Sequence, residues 1–482
     1  MMTPYEFFKQ ISLIPRGSGN ESAIADYIEG VARENGLFCI RDSLNNVFVR
    51  KSASSGMEDK KSILFAAHTD MVCEKLPSSS HDFKKDPIAL IEQDGFVRAN
   101  GTTLGADDGA GVATMLSLMT DASIIAPETE YLFTSAEETG MDGAFAFDYS
   151  VTNSELIVNL DNSAECSACI GCASGKTYET KLPIDRTPKC SKAVKIEISG
   201  LAGGHSGAEI DSGKQSAIKL LAHLLDAVYS VYPFHLVSVS GGGKDNVISP
   251  NASATVIFYG DGDEKTARTV ATEQEKLIKT ILCPADLKKF RVTFTKLKEA
   301  EQSTLPDMMT LKSTSTVLSA LLLSPQGPLS YIPDTDQVRS SVNLGILYTE
   351  NESVIMRHLS RSSSAYAASH TEQMIYRLSK AHGGTTESLS GYPGWEYKRG
   401  TALQGAYESA CLEVYKKAPV FSACHAGLEC GIFYDRLSAL GRSPDIISVG
   451  PNAYDIHSVK ERMEIASLDT LYKTLTHILK NV

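Results

Sequence analysis

Short apolar runs and longer amphipathic stretches take turns along this chain. Residues 62–72, 130–134 and 156–160 are runs of the length expected for strands buried on both faces. Residues 22–34 have helical periodicity, and 109–119 read as a helix that opens on glycine and small residues. This alternation predicts an α/β domain with a mixed sheet flanked by helices.

The pattern changes near residues 182–190, where two prolines and several charges suggest a boundary. Beyond it, 194–199 reads as a strand, 215–229 as a helix, 234–240 and 254–259 as strands, and 265–281 as a helix. A weaker version follows over 290–297, 310–323, 338–347, 353–360 and 369–381, so an inserted α+β domain of two similar halves is expected. Residues 388–395, rich in serine, glycine and proline, read as a linker back. A helix at 402–416, a strand at 445–449 and a helix at 467–480 then complete the first domain. The expected division is 1–185 and 393–482 for a discontinuous domain and 186–392 for an inserted lid.

Composition narrows the class. With 482 residues, 42% hydrophobic and 22% charged, the chain has room for more than one core. A net charge of −12 disfavours nucleic acid and anionic membranes as partners. The N-terminal stretch is amphipathic, interrupted by Glu6 and Lys9, and no apolar stretch approaches a membrane span, so a cytoplasmic protein is expected. Ten scattered cysteines read as reduced thiols. Cys166, Cys169 and Cys172 have metal-knuckle spacing, but no second Cys-x-x-Cys pair completes a closed site, and they read as small residues on a turn and strand.

The candidate chemistry lies where apolar runs end: Phe65-Ala-Ala-His68-Thr-Asp70, Gly105-Ala-Asp107-Asp108-Gly109, Ser135-Ala-Glu137-Glu138-Thr-Gly140, Asn159-Leu-Asp161 and Asp455-Ile-His457. In an open α/β sheet, strand ends are where ligands bind. Carboxylates and histidines converging there need cations to hold them together, which predicts a metal site, with two metals favoured. Each motif also has a plainer explanation. Asp107 and Asp108 could cap a helix, Glu137 and Glu138 could be solvated, and His68-x-Asp70 is a common pair. The joint occurrence of all five carries the inference.

In this order, with Gly203-Gly-His205-Ser-Gly207 between them, the motifs resemble the di-zinc aminoacylase/carboxypeptidase-type metallopeptidases. His425-Ala-Gly-Leu-Glu429-Cys-Gly431, Ile170-Gly-Cys-Ala-Ser-Gly175 and Asp245-Asn246-Val-Ile-Ser-Pro250 are most similar to the bacterial aminoacyl-histidine (Xaa-His) dipeptidases within that group. The resemblance implies a di-zinc aminopeptidase-like domain and hydrolysis of carnosine-like and other dipeptides. It implies two divalent ions, zinc first with cobalt or manganese as alternatives. Asp107 would bridge them, His68 and Asp161 completing one site and Glu138 and His457 the other. Glu137 would be the general base, Asp70 the partner of His68, and the Asp107–Asp108 bond is expected to be cis. His205 would stabilise the oxyanion, and Asn246 would hold a substrate carboxylate or carbonyl. Arg361 would take the terminal carboxylate, with Arg357 competing by register. His425 and Glu429, four apart on a possible helix, are assigned to lining the substrate rather than to metal. A homodimer is compatible with the resemblance, with His205 serving either its own subunit or the partner's. The rival readings are an N-acyl amino acid deacetylase of the same group and a noncatalytic metal-binding protein.

Overall fold

The short, largely apolar runs become the middle of a sheet. In the computed structural model, which describes residues 2–333 and 335–482, every residue of Ile63–His68, Thr129–Thr134 and Leu156–Asn159 is buried. Met1, where the amphipathic N-terminal stretch begins, and Asp334, inside the expected lid, lie outside the described residues. The chain divides into two compact units: residues 1–172, 394–424 and 428–482 form the first, and 173–393 with 425–427 the second. The class is mixed α/β, as the alternation predicts. Among the described residues no helix is long and apolar enough to cross a membrane.

The first unit holds an eight-stranded sheet in the order Phe38–Arg41, Val47–Lys51, Thr129–Thr134, Ile63–His68, Leu156–Asn159, Asp445–Ser448, Ser167–Cys172, Val420–Cys424. Its four central strands, Thr129–Thr134 through Asp445–Ser448, are mutually parallel. Their carboxyl ends therefore share one edge, and His68 stands opposite Thr134 in register there. Helices Pro4–Ile11, Ala106–Thr120 and Ile465–Asn481 pack against one another. Pro4–Ile11 starts with a capping box in which Thr3 and Glu6 exchange side-chain-to-backbone bonds. It buries Phe7, Phe8 and Ile11, each worth about 1.5–3 kcal/mol of transfer free energy.

The second unit is built on a nine-stranded antiparallel sheet. Arg291–Lys296, Ala193–Ser199, Ala252–Ile257 and His235–Gly241 lie in that order, followed by Val338–Thr349, Ser353–Ser362, Ser174–Pro183 and Thr385–Tyr392. The second four repeat the order of the first four in reverse, and Ser240 opposite Tyr348 joins the two sets. Gly327–Tyr331 adds a strand on Val338–Thr349.

Three boundaries differ from the sequence expectation. The strand at 291–296 belongs with the first set, because it pairs with Ala193–Ser199 rather than opening the second. Residues 385–392 are an edge strand on Ser174–Pro183 and not a linker. The chain enters the second unit at Ala173 instead of after residue 185, since Ser174–Pro183 is paired along its whole length with Ser353–Ser362.

Candidate metal centre

Each candidate ligand of the first unit hangs on the loop that leaves a buried strand or on the turn before a helix. His68 ends Ile63–His68, Glu137 and Glu138 follow Thr129–Thr134, Asp161 follows Leu156–Asn159, and His457 follows Asp445–Ser448. Asp107 and Asp108 sit in the opening turn of Ala106–Thr120 with non-helical dihedrals, and the bond between them is cis. Asp108 turns inward to accept from the N–H of Gly111 at 3.0 Å, acting as a cap for the regular helix beyond it. His457 has φ +60, a left-handed conformation that costs a non-glycine residue about 1–3 kcal/mol.

The geometry centres on Asp107. Its Oδ1 lies 2.9 Å from His68 Nε2, and its Oδ2 lies 2.9 Å from His457 Nε2. Glu138 Oε1 lies 2.9 Å from the same His457 nitrogen. One carboxylate thus presents its two oxygens to two different imidazoles. His68, Asp107 and Glu138 each offer a ligand atom within 4.8 Å of the others. Behind them, His68 Nδ1 is 3.4 Å from Asp70 Oδ1. Asp70 also accepts from Ser18 Oγ at 2.7 Å and from the N–H groups of Glu137 and Glu138 at 3.0 and 3.2 Å. It therefore fixes the backbone of the two glutamates as well as facing His68, a second task that the spacing of the sequence does not announce.

The electrostatics are those of crowded acids. Burial, reinforced by Glu429, Glu138 and Asp107, pushes the Glu137 carboxyl up to about 8. Burial and then Asp107 hold Asp161 well above the usual carboxylate range. Asp70 goes the other way: its burial is outweighed by His68, Ser18 and the Glu137 amide, which bring it down to about 2. Imidazole and carboxylate donors around a focus of negative charge fit divalent cations, which are the largest local charges such a site can take. The buried Glu138 Oε1, which faces His457 Nε2, is a ligand atom of that kind.

A different cluster forms in the second unit. The segment Gly204–His205 pairs with Val247–Ile248, and the N–H of Ser206 donates to the carbonyl of Asn246 at 2.9 Å, so His205 and Asn246 are neighbours. His205 Nδ1 accepts from the N–H groups of Gly207 and Ala208 at 3.3 and 3.1 Å. That nitrogen is an acceptor, so in the neutral ring Nε2 carries the proton. Burial, then Arg361, pushes the His205 pKa down and favours the neutral form. Arg361 is buried, its Nη1 donates to the Tyr392 hydroxyl, and its Nε has no hydrogen-bond partner. Arg357 is already engaged, with Nε 2.6 Å from Glu179 Oε2. His425 Nε2 lies 2.7 Å from Ser341 Oγ.

His425 and Glu429 do not share a helix, because the helix Glu429–Ala439 begins at the second of them. His425 clusters with the second unit and Glu429 lies in the first. Buried Glu429 accepts from Thr134 Oγ1 at 2.8 Å and is pushed up to about 8, chiefly by burial. Two further contributors escape a reading of motifs, Arg16 and Glu461, which bond to the backbone around His68 and Asp107.

A parallel sheet with acids and imidazoles along its carboxyl edge, and a second antiparallel unit bearing unmatched donors, define the class as a two-unit metallohydrolase. The model of peptidase family M20/M25/M40 matches residues 64–481, and the chain belongs to that family. It is therefore a hydrolase acting on peptide bonds. The cytosol non-specific dipeptidase of Escherichia coli (strain K12) is 32% identical over 484 residues, covering 99% of this chain and 97% of that protein. The crystal structure of aminoacylhistidine dipeptidase from Vibrio alginolyticus matches with a TM-score of 0.88 at 29% identity, over 99% of this chain and 96% of that one. A tripeptidase from Staphylococcus aureus, at 16% identity and a TM-score of 0.55 over 99% and 97% of the two chains, shares the fold.

Proposed function

We propose that the protein is a cytosolic dipeptidase that depends on two divalent cations, zinc first, and cleaves Xaa-His and other dipeptides. The observation that carries this reading is the division of Asp107 between His68 and His457, with Glu137 and Glu138 beside it. Asp107 would be shared by both ions, His68 and Asp161 serving one and Glu138 and His457 the other. When bound, such ions lower the pKa of water and polarise a carbonyl.

The remaining work falls to this chain's own side chains. Glu137 takes a proton from the attacking water and returns it to the leaving amine. Asp70, facing His68 and bonded to the amides of Glu137 and Glu138, keeps the imidazole and the base in place. His205 donates from Nε2 to the oxygen on which charge develops, a role supported by the two amides that occupy its Nδ1. Arg361, rather than Arg357, receives the substrate's terminal carboxylate. A buried guanidinium with an open Nε is better suited than one already bound to Glu179. Asn246, His425 and Glu429 complete the substrate-binding set, His425 bonded to Ser341 and Glu429 to Thr134.

The names of the relatives support dipeptides as the class, one broad and one histidine-directed. The test is a metal analysis of the purified protein beside a panel of carnosine-like dipeptides, α-dipeptides, dipeptide amides, tripeptides and N-acetyl amino acids. Two bound divalent ions and preference for dipeptides with a free carboxylate are expected. Cleavage confined to N-acetyl amino acids, or a folded protein without divalent metal, would sink the reading.

A further inference from the structure

Beneath the loops that carry His68, Asp107 and His457 lies a buried pair of opposite charges, Arg16 and Glu461, both almost inaccessible to solvent. Arg16 Nη1 donates to the carbonyls of Thr69 and Asp70 at 3.0 and 3.1 Å, and its Nη2 donates to the carbonyl of Gly105. The guanidinium thus ties the strand end bearing His68 and Asp70 to the turn bearing Asp107. Glu461 holds the same turn by its amides. One oxygen accepts from Leu104 at 2.7 Å and Gly105 at 3.1 Å, the other from Ala106 at 2.8 Å and Asp107 at 3.4 Å. Four successive N–H groups converging on a carboxylate form an anion nest. The oxygens of Glu461 are occupied by these donors, which makes it an anchor rather than a ligand.

Two glycines make room for this arrangement. A Cβ at Gly105 would stand 2.6 Å from Arg16 Nη2, and one at Gly109 would stand 2.3 Å from it. Gly105 also has φ +71, so it is both a left-handed turn and the floor over the guanidinium. Glu461 is four residues beyond His457 and carries that loop with it.

We propose that Arg16 and Glu461 act together as positioning residues. They set the separation of His68, Asp107 and His457 before any cation binds, and so determine metal affinity. This inference rests on the proposal that those three residues hold the ions. Both spend their hydrogen bonds on backbone that points ligands inward, Arg16 on the carbonyls and Glu461 on the amides. Neither touches substrate.

The experiment measures zinc affinity of the full chain by competition with a chromogenic chelator, with thermal melting and kcat and KM in parallel. Arg16→Lys keeps the charge but loses the fork that joins two loops. Glu461→Gln turns two of the four amide donors toward an NH2 group. Each is expected to weaken zinc binding roughly 10- to 100-fold. At matched zinc, kcat should fall and KM stay unchanged, and the double variant should lose no more than the worse single one. Glu130→Gln is the control. It is a buried carboxylate of the same unit, bonded to Arg50, Thr152, Asn153 and Ser154, and its loss should lower the melting temperature while leaving zinc affinity intact. Gly109→Ala displaces the guanidinium without altering either charge, and serves if one of the charge variants does not fold. Variants that melt lower but bind zinc as tightly as the parent would overturn the inference. A parent protein that binds no zinc would instead overturn the metal centre itself.

Discussion

The two units solve opposite electrostatic problems. In the first, carboxylates outnumber the groups that can neutralise them, and burial pushes Glu137 and Asp161 toward protonation. In the second, the buried or half-buried groups are donors and neutral rings: Arg361 with an unmatched Nε, His205 with its acceptor nitrogen filled, and His425 brought down to about 4 by burial and Arg361. One cluster calls for cations and the other for an anion. Each is fixed by its own backbone, through the amides on Asp70 in one case and those on His205 in the other. The comparison teaches that the same device, a polar side chain saturated on one side by N–H groups, can prepare a base or a donor depending on what remains on the other side.

The strongest way to break the contrast is at its most acidic point. Glu137→Gln is expected to keep its metal and lose turnover by roughly 10²–10⁴-fold, because the general base is gone and the ligands are not. Undiminished kcat would remove Glu137 from the mechanism. His205→Ala comes next, with kcat lowered about 10²–10³-fold and metal content unchanged. If its metal content fell instead, His205 would belong with the ligands. Arg361→Met should cost on the order of 2 kcal/mol in kcat/KM for dipeptides and nothing for their amides, and an equal loss on both substrates would contradict the carboxylate role.

The last effect is one of pH and bears on stability rather than turnover, and it falls on the second unit. His358 is fully buried with Ser324 at 2.6 Å, and burial, helped by Lys219, pushes its pKa down to about 3. The unfolded chain takes up this proton near pH 6.5 and the folded one does not. The stabilising contribution is therefore complete above about pH 6.5 and is lost as pH falls toward 3, by on the order of a few kcal/mol. Melting curves across that window should decline less steeply for His358→Gln, and parallel slopes would show that another group is responsible.

Much of this was legible in the sequence because the parallel strands are buried on both faces. Mostly apolar runs mark their length, so the residues after each run fall on the carboxyl edge of the sheet. That logic singles out His68, Glu137, Glu138 and Asp161, which stand at strand ends, while His457 is reached only by the loop beyond Ser448. The mixed α/β class followed from the same pattern. Pairing partners are another matter. Nothing in the strand at 291–296 says that it lies beside Ala193–Ser199, and the polar strand at 385–392 resembles a linker because an edge strand leaves most of its side chains in water. Arg357 and Arg361 point to the same face by parity, so only the register separates them. Glu179 stands opposite the first, and Gly175, which admits Tyr392, stands opposite the second. Arg16, in a Pro-Arg-Gly segment, has the local sequence of a surface loop, and only the fold turns it inward.

The position of one strand has a consequence for how the molecule is made. Asp445–Ser448 is inserted between Leu156–Asn159 and Ser167–Cys172, two strands separated by a short stretch of chain. A chain emerging from the ribosome must keep that slot open while the 272 residues from 173 to 444 are synthesised. The central sheet and the last imidazole arrive together, after everything between them. Contacts of such long sequence separation form slowly. The candidate centre thus lacks its last imidazole until synthesis has passed residue 457, so the full ligand set and the closed central sheet belong only to the completed chain.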